Sequence, residues 1–162
     1  YGNPSRRTRV FISNIALSPR KKRVRVTAWD AIKDLPEPAE DPVIPNHDPP
    51  PRISDRKMKR ILRLKWGMSL IKYEGAEGRL MPNLIKLDPY DVAPTILGCS
   101  RFIHPFELRL LTVREQARLM GFPDDHVFLG GKDEQYNQVG EAVPYTLAKV
   151  LAEEVLKYLM GG

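Results

Sequence analysis

Two arginines, Arg7 and Arg9, stand two apart just ahead of a short β-type run, Val10-Phe11-Ile12. Residues at i and i+2 of an extended chain project to one side. Two guanidiniums on one side can grip a phosphate or polarise a carbonyl oxygen. The same pair can equally be the basic rim of an exposed strand, where charge discourages edge pairing, and spacing alone favours that plainer role. Cys99 follows Gly98 with no adjacent histidine or lysine-rich setting to lower its pKa, so it is expected to be a small buried residue. His47, within Asn46-His47-Asp48, lacks partners at ligand spacing. It is expected to hydrogen-bond locally, and no metal site is expected.

These residues need elements to hold them. The clearest is the stretch from Thr112 to Pro123. Thr112 and Glu115 form a capping box, and Val113, Ala117 and Met120 share a helical face with Leu119 beside them. Gly121 permits a left-handed end and Pro123 blocks continuation. A second short helix runs from Thr27, its cap, through Trp29 and Ile32 to Leu35, with Pro36 as the stop. Seven prolines between residues 36 and 52 predict an extended connector. Ser54 then opens a basic amphipathic helix expected to reach Trp66, with Met58, Ile61 and Leu62 on one face and Arg56, Lys57, Lys59, Arg60 and Arg63 over the rest. Such a helix suits a solvated face, a membrane surface or a phosphate backbone; the narrow apolar stripe disfavours the membrane.

Between Gly67 and Pro94 the signals thin out. Tyr73 to Gly78 reads as a loop, Leu80 to Leu87 as a strand, and Val92 to Leu97 as a strand interrupted by Pro94. After a turn at Gly130-Gly131, residues 135–144 read as a lead-in to a helix over about 144–159. There Leu147, Leu151, Val155 and Leu159 repeat at i+4, widened by Val150 and Tyr158. That stripe must pack against something apolar.

Of the 162 residues 42% are hydrophobic, which describes a folded chain rather than a disordered tail. No apolar run approaches a membrane span, and the polar, Arg-rich start does not read as a signal peptide. A single cysteine excludes an internal disulfide and fits a reducing compartment. The formal charge of +6 is uneven: residues 6–25 and 52–65 are crowded with Arg and Lys, whereas the C-terminal quarter leans acidic. This suits one face turned to a polyanion, or simply a solvated surface.

Several strings together carry more than any one does. They are Tyr1-Gly-Asn-Pro-Ser-Arg-Arg-Thr-Arg-Val-Phe-Ile12; Trp29-Asp-Ala-Ile32; Pro94-Thr-Ile96; Arg109-Leu-Leu-Thr-Val-Arg-Glu-Gln-Ala-Arg-Leu119 followed by Gly121-Phe-Pro-Asp124; and Gln138-Val-Gly-Glu-Ala-Val-Pro144. In these the chain resembles the C-terminal half of the DNA (cytosine-5) methyltransferases, nearly from end to end. The resemblance implies an α/β fold: an incomplete piece of a Rossmann-like, S-adenosylmethionine-dependent methyltransferase domain with a small, mixed, loop-rich target recognition domain. Residues 1–28 would end the catalytic domain, 29–132 would form the recognition domain with its linker, and 133–162 would return to the catalytic domain.

By the same resemblance Arg7 and Arg9 would contact the flipped cytosine and its flanking phosphate. The Thr95 hydroxyl would touch the DNA backbone, with base reading expected between about 67 and 108. Arg60 and Arg63 are the cations chosen for phosphate contact. Glu141, Ala142 and Val143 would line the S-adenosylmethionine pocket, with the closing helix on the catalytic sheet. Two positions depart from the family pattern: Ser5 replaces a glutamine, and Glu141 an asparagine.

The family's Phe-x-Gly-x-Gly loop, Pro-Cys nucleophile and Glu-Asn-Val segment have no counterpart in the chain. Methyl transfer needs all three. The implied partners are therefore double-stranded DNA and an N-terminal half carrying the Pro-Cys nucleophile, whose cysteine would add to carbon 6 of the cytosine before carbon 5 takes the methyl group. The resemblance implies a subunit of a split enzyme or a piece of a single one, in a prokaryotic, nucleoid-associated, cytoplasmic setting, with restriction-modification as the expected context. The contrasting expectation is a stand-alone DNA-binding remnant without catalytic activity.

Overall fold

The structure is a computed structural model and describes residues 1–21, 24–75 and 78–160. It contains five helices and three strands among those residues. They are α1 (Ala28–Ile32), α2 (Asp55–Ile61), β1 (Ser69–Glu74), β2 (Leu80–Lys86), β3 (Phe102–Ile103), α3 (Val113–Leu119), α4 (Lys132–Glu141) and α5 (Tyr145–Leu159). The strands form one sheet in the order β1-β2-β3, with β1 antiparallel and β3 parallel to β2.

Local chemistry explains the helix starts. Thr27 and Thr112 each close a capping box, with Asp30 and Glu115 as the reciprocal partners. Gly121 follows α3 at φ +77°, the left-handed end its sequence requires. α2 ends at Ile61, well short of Trp66, because Ile61 and Leu64 turn inward through i+3 hydrogen bonds rather than continuing a helical face. Ser54 caps α2 in backbone geometry only, without a side-chain hydrogen bond.

Five further expectations are corrected. Tyr73 and Glu74 end a strand rather than open a loop; Ala76 and Glu77 of that loop lie outside the described residues, as do Lys22 and Arg23 of the basic turn. Val92 to Leu97 is not a strand: one parallel bridge, Ser5 with Ala93, is its sole ladder contact among the described residues. Val10 to Ile12 is irregular and exposed, Ile12 at 98%. Residues 132–141 are helical, so the expected lead-in to α5 is largely α4. Cys99 is exposed, because the loop carrying it buries Ile96 and Ser100 and leaves position 99 outside.

Two cores organise the chain. The larger gathers Ala28 and Ile32 of α1, Leu87, Ala93, Ile96 and Phe102, the inner face of α3, and Tyr136 and Val139 of α4. The smaller, formed by Ile53, Ile61, Leu70, Leu84, Ile103 and Leu110, lies between α2 and the sheet. The proline-rich connector is built into this body. Asn46 adopts φ +61° and exchanges two side-chain hydrogen bonds with the Phe128 backbone. His47 is buried between the Thr112 hydroxyl at 2.9 Å and the Pro36 carbonyl at 2.7 Å. It does hydrogen-bond, but through a long-range contact to the α3 cap rather than locally.

Candidate functional site

Four segments remote in sequence meet at one junction: residues 1–7, the loop 93–101, the turn after α3, and the α4–α5 corner. The N-terminal segment is held by backbone hydrogen bonds from Arg6 N–H to the Ala93 carbonyl and from Ala93 N–H to the Pro4 carbonyl. Ser5 is buried there, its hydroxyl 2.9 Å from the Asn3 amide and 3.7 Å from the Met120 sulfur. The short side chain thus fills its site without an amide. Gly121 leaves room for Thr146 and Asn3, and the Tyr145 N–H donates to the Met120 carbonyl. α5 is thereby fixed to the end of α3.

Arg7 is the centre of the junction. One guanidinium nitrogen donates to the Ile96 carbonyl and another to the Gly140 carbonyl at 2.7 Å. Its Nε is buried without a hydrogen-bond partner. Arg9 is exposed and donates to the Thr8 carbonyl. Both line a recess of about 520 Å³ with Tyr1, Phe11 and Leu147. Extended geometry placed them on one side; the structure gives them one recess but different partners.

Gly140 explains how α4 reaches this place. A Cβ there would overlap the backbone of Leu97 and Gly98, so only glycine lets the helix lie directly on the loop. Glu141 is exposed at the end of α4, and Ala142 and Val143, half-buried, turn the chain towards Pro144. Thr95 is exposed and lines a separate recess with Arg6, Gly67, Asp88 and Asp91. Arg63 is exposed in the turn after α2, and Arg60 donates to the Leu70 carbonyl at 3.1 Å, fastening α2 to β1. The structure brings Arg7 and the 140–143 corner together, whereas Thr95, Arg60 and Arg63 lie on other surfaces.

The arginines around α3 are spent on structure. Arg114 is fully buried and donates to the carbonyls of Pro45, Pro123 and His126. Burial lowers its pKa, yet three carbonyl acceptors suit a retained charge. Arg109 grips Glu115 through two hydrogen bonds of 2.8 Å and also pairs with Glu107. Burial opposes that charge, and the two carboxylates outweigh it, so its pKa rises. Arg118 joins Asp124 to Asp34, just beyond the end of α1. His104 beside this network is held towards its neutral form by burial. Sequence reasoning missed these roles; the signal available was the density of arginine around a helix with a strongly apolar face.

Among the described residues no cluster of histidine, cysteine or carboxylate side chains could hold a metal ion, and no described helix is long and apolar enough to cross a membrane.

A small mixed α/β module with this junction has relatives among DNA-modifying enzymes. The family model of the C-5 cytosine-specific DNA methylases matches residues 58–157, and the chain belongs to that family. A protein of Methanocaldococcus jannaschii provisionally named a type II methyltransferase is 52% identical over 159 residues, which are 98% of this chain and 49% of that protein. A type II methyltransferase named M.AquIB, from Picosynechococcus, is 42% identical over 88 residues, 46% of this chain and 63% of that protein. A solved structure described as a DNA modification methyltransferase encoded within an E. coli prophage shares the fold, with a TM-score of 0.64 at 22% identity; the match covers 86% of this chain and 49% of that one. The chain thus spans about half the length of the first of these relatives.

Proposed function

We propose that this chain is the DNA-recognition and cofactor-pocket portion of a DNA (cytosine-5) methyltransferase, which methylates carbon 5 of a flipped cytosine with S-adenosylmethionine only together with an N-terminal half. The observation that carries this is Arg7. It ties the N-terminal segment to both the 93–101 loop and the end of α4, the two places that recognition and cofactor binding require. A mere DNA-binding remnant has no use for that junction. The short relative M.AquIB, 63% of which is covered by 88 aligned residues, supports a split arrangement as one way of supplying the halves.

In this reading Arg9, exposed in the recess, faces the cytosine and its phosphate, and Arg7 stands beside it in the wall. Thr95, Arg60 and Arg63 contact the DNA backbone, and the 67–108 region reads the bases. The residues at the end of α4 fit one side of a nucleoside-bearing ligand. The exposed Glu141 carboxylate can accept from a ribose hydroxyl or an amino group, and Ala142 and Val143 offer apolar surface beside it. S-adenosylmethionine would supply the methyl group. This chain's residues orient and enclose, and the thiol belongs to the other half. The domain division at 28 and 132 and a nucleoid-associated, cytoplasmic setting complete the proposal.

Reconstitution is the test. The chain is co-expressed with the N-terminal half of its M. jannaschii relative, and transfer of radiolabelled methyl to duplex DNA is measured for the pair and for each part. Activity in the pair alone is the expected result. Methyl transfer by the isolated chain would overturn its dependence on an N-terminal half, and DNA binding by the chain with no methyl transfer in the pair would favour the remnant reading.

A further inference from the structure

The loop from Thr95 to Arg101 has no regular secondary structure, yet it is held from three sides. Arg7 takes the Ile96 carbonyl and α4 presses on Leu97 and Gly98. The Leu97 N–H donates to the Ser100 hydroxyl, and the Arg101 guanidinium reaches the carbonyls of Gly98 and Ser100 while pairing with Asp133 and lying 4.0 Å over the Tyr136 ring. The third side is β2. The Asn83 carboxamide donates to the Cys99 carbonyl at 3.2 Å and accepts from the Arg101 N–H at 3.0 Å.

Asn83 reaches the loop because β2 is distorted at the next residue. Leu84 lies at φ +51° with its side chain buried. A non-glycine residue in the left-handed region is disfavoured, by roughly 1–2 kcal/mol, and here it sits inside a strand. The Leu84 N–H donates to the Asn83 side chain at 2.8 Å, and the Ser69 hydroxyl donates to the Asn83 carbonyl. A strained strand residue and one side chain that bridges strand to loop occur together. What they fix in place is the outward presentation of Thr95 and Cys99, with the Tyr73 hydroxyl 3.2 Å from the Cys99 sulfur.

We propose that Asn83 is a positioning residue for sequence discrimination, holding the 95–101 loop at the geometry in which its exposed side chains meet the DNA. This rests on the methyltransferase reading above. Asn83 touches no base itself; it acts through the loop backbone. Preorganisation of this kind matters most for the ratio of correct to incorrect sites, since a displaced contact loses energy only where it would have been made.

The test uses the reconstituted enzyme, once its target sequence has been mapped by sequencing of methylated DNA. Rates are compared on the target and on a duplex changed at one recognised position. Asn83→Ala is expected to lower the target-to-changed ratio of kcat/KM by ~10-fold, the order of one lost base contact, with affinity for S-adenosylhomocysteine within twofold of the parent. Asn83→Asp, which keeps both acceptor interactions and loses the donor, should fall between. Equal losses on both duplexes, or an unchanged ratio, would overturn the proposal. In the unsubstituted enzyme, hydrogen exchange supplies a measurement independent of variant folding. The hydrogen-bonded amides of Leu97, Ser100 and Arg101 should be slow before DNA is added and slower still with target duplex than with an unrelated one; fast exchange of these amides in the free protein would overturn it. A wild-type assembly that neither binds nor methylates DNA would refute the functional reading instead, so the two failures are distinguishable.

Discussion

Two regions of this chain treat their side chains in opposite ways. Around α3, cations are turned inward: Arg114 is wholly buried, Arg109 holds Glu115 and Glu107, and Arg118 bridges Asp124 and Asp34. Between residues 8 and 17 and along α5, apolar groups are turned outward. Val10, Ile12, Leu156 and Leu159 are well exposed, and every residue of α5 is at least partly so. Buried guanidiniums with satisfied acceptors mark a body closed upon itself. A helix whose apolar stripe is left exposed offers surface that another body can cover. On the proposed reading, the catalytic half covers it.

The sharpest way to break the contrast is at Arg114. Arg114→Ala leaves the carbonyls of Pro45, Pro123 and His126 without their donor and a void in place of the buried side chain, and should cost at least ~3 kcal/mol in urea unfolding. A loss below ~1 kcal/mol would show that this region is not the closed body described. The other region should behave in reverse. Leu151→Asp on α5 is expected to change the stability of the isolated chain by no more than ~0.5 kcal/mol yet to weaken association with the catalytic half by at least ~30-fold in calorimetry, the scale of an interface hot spot. Unchanged association would mean that the stripe faces something else. A smaller effect sharpens the comparison at its margin. Arg60→Gln and Arg63→Gln should each reduce the salt slope of DNA binding by ~1, as expected for one phosphate contact apiece. A salt titration with the parent slope would return α2 to an ordinary solvated face.

Legibility in the sequence followed the same division. Elements whose ends are written in side-chain chemistry were readable: the capping boxes at Thr27 and Thr112, the left-handed Gly121, and the i+4 stripe of α5. α4 was not, because Lys132–Glu141 is mostly polar and only Tyr136 and Val139, three apart, signal its buried face. β1 was obscured for a related reason: its inner residue, Leu70, is followed by outward Lys72 and Glu74, a pattern that a loop shares. The expected strand over Val92–Leu97 has the right residue types, but Arg7, Gly140 and Ser100 claim its backbone groups and surroundings. Cys99 faces outward for the same reason. The identities of Arg7, Arg9 and Glu141 as candidates were legible through resemblance. That Arg7 joins the loop to α4 was not, since nothing local specifies contacts 89 and 133 residues away.

The meeting of Gly140 with the Leu97–Gly98 backbone restricts how an enzyme of this kind can acquire a new target. Side chains at 95 and 99 point outward. The stretch between them cannot thicken or lengthen without pushing on the helix that carries Glu141. On the proposed reading, retargeting by exchange of outward side chains would leave that helix undisturbed, whereas insertion at 97 or 98 would reshape the proposed cofactor wall along with the proposed reading surface.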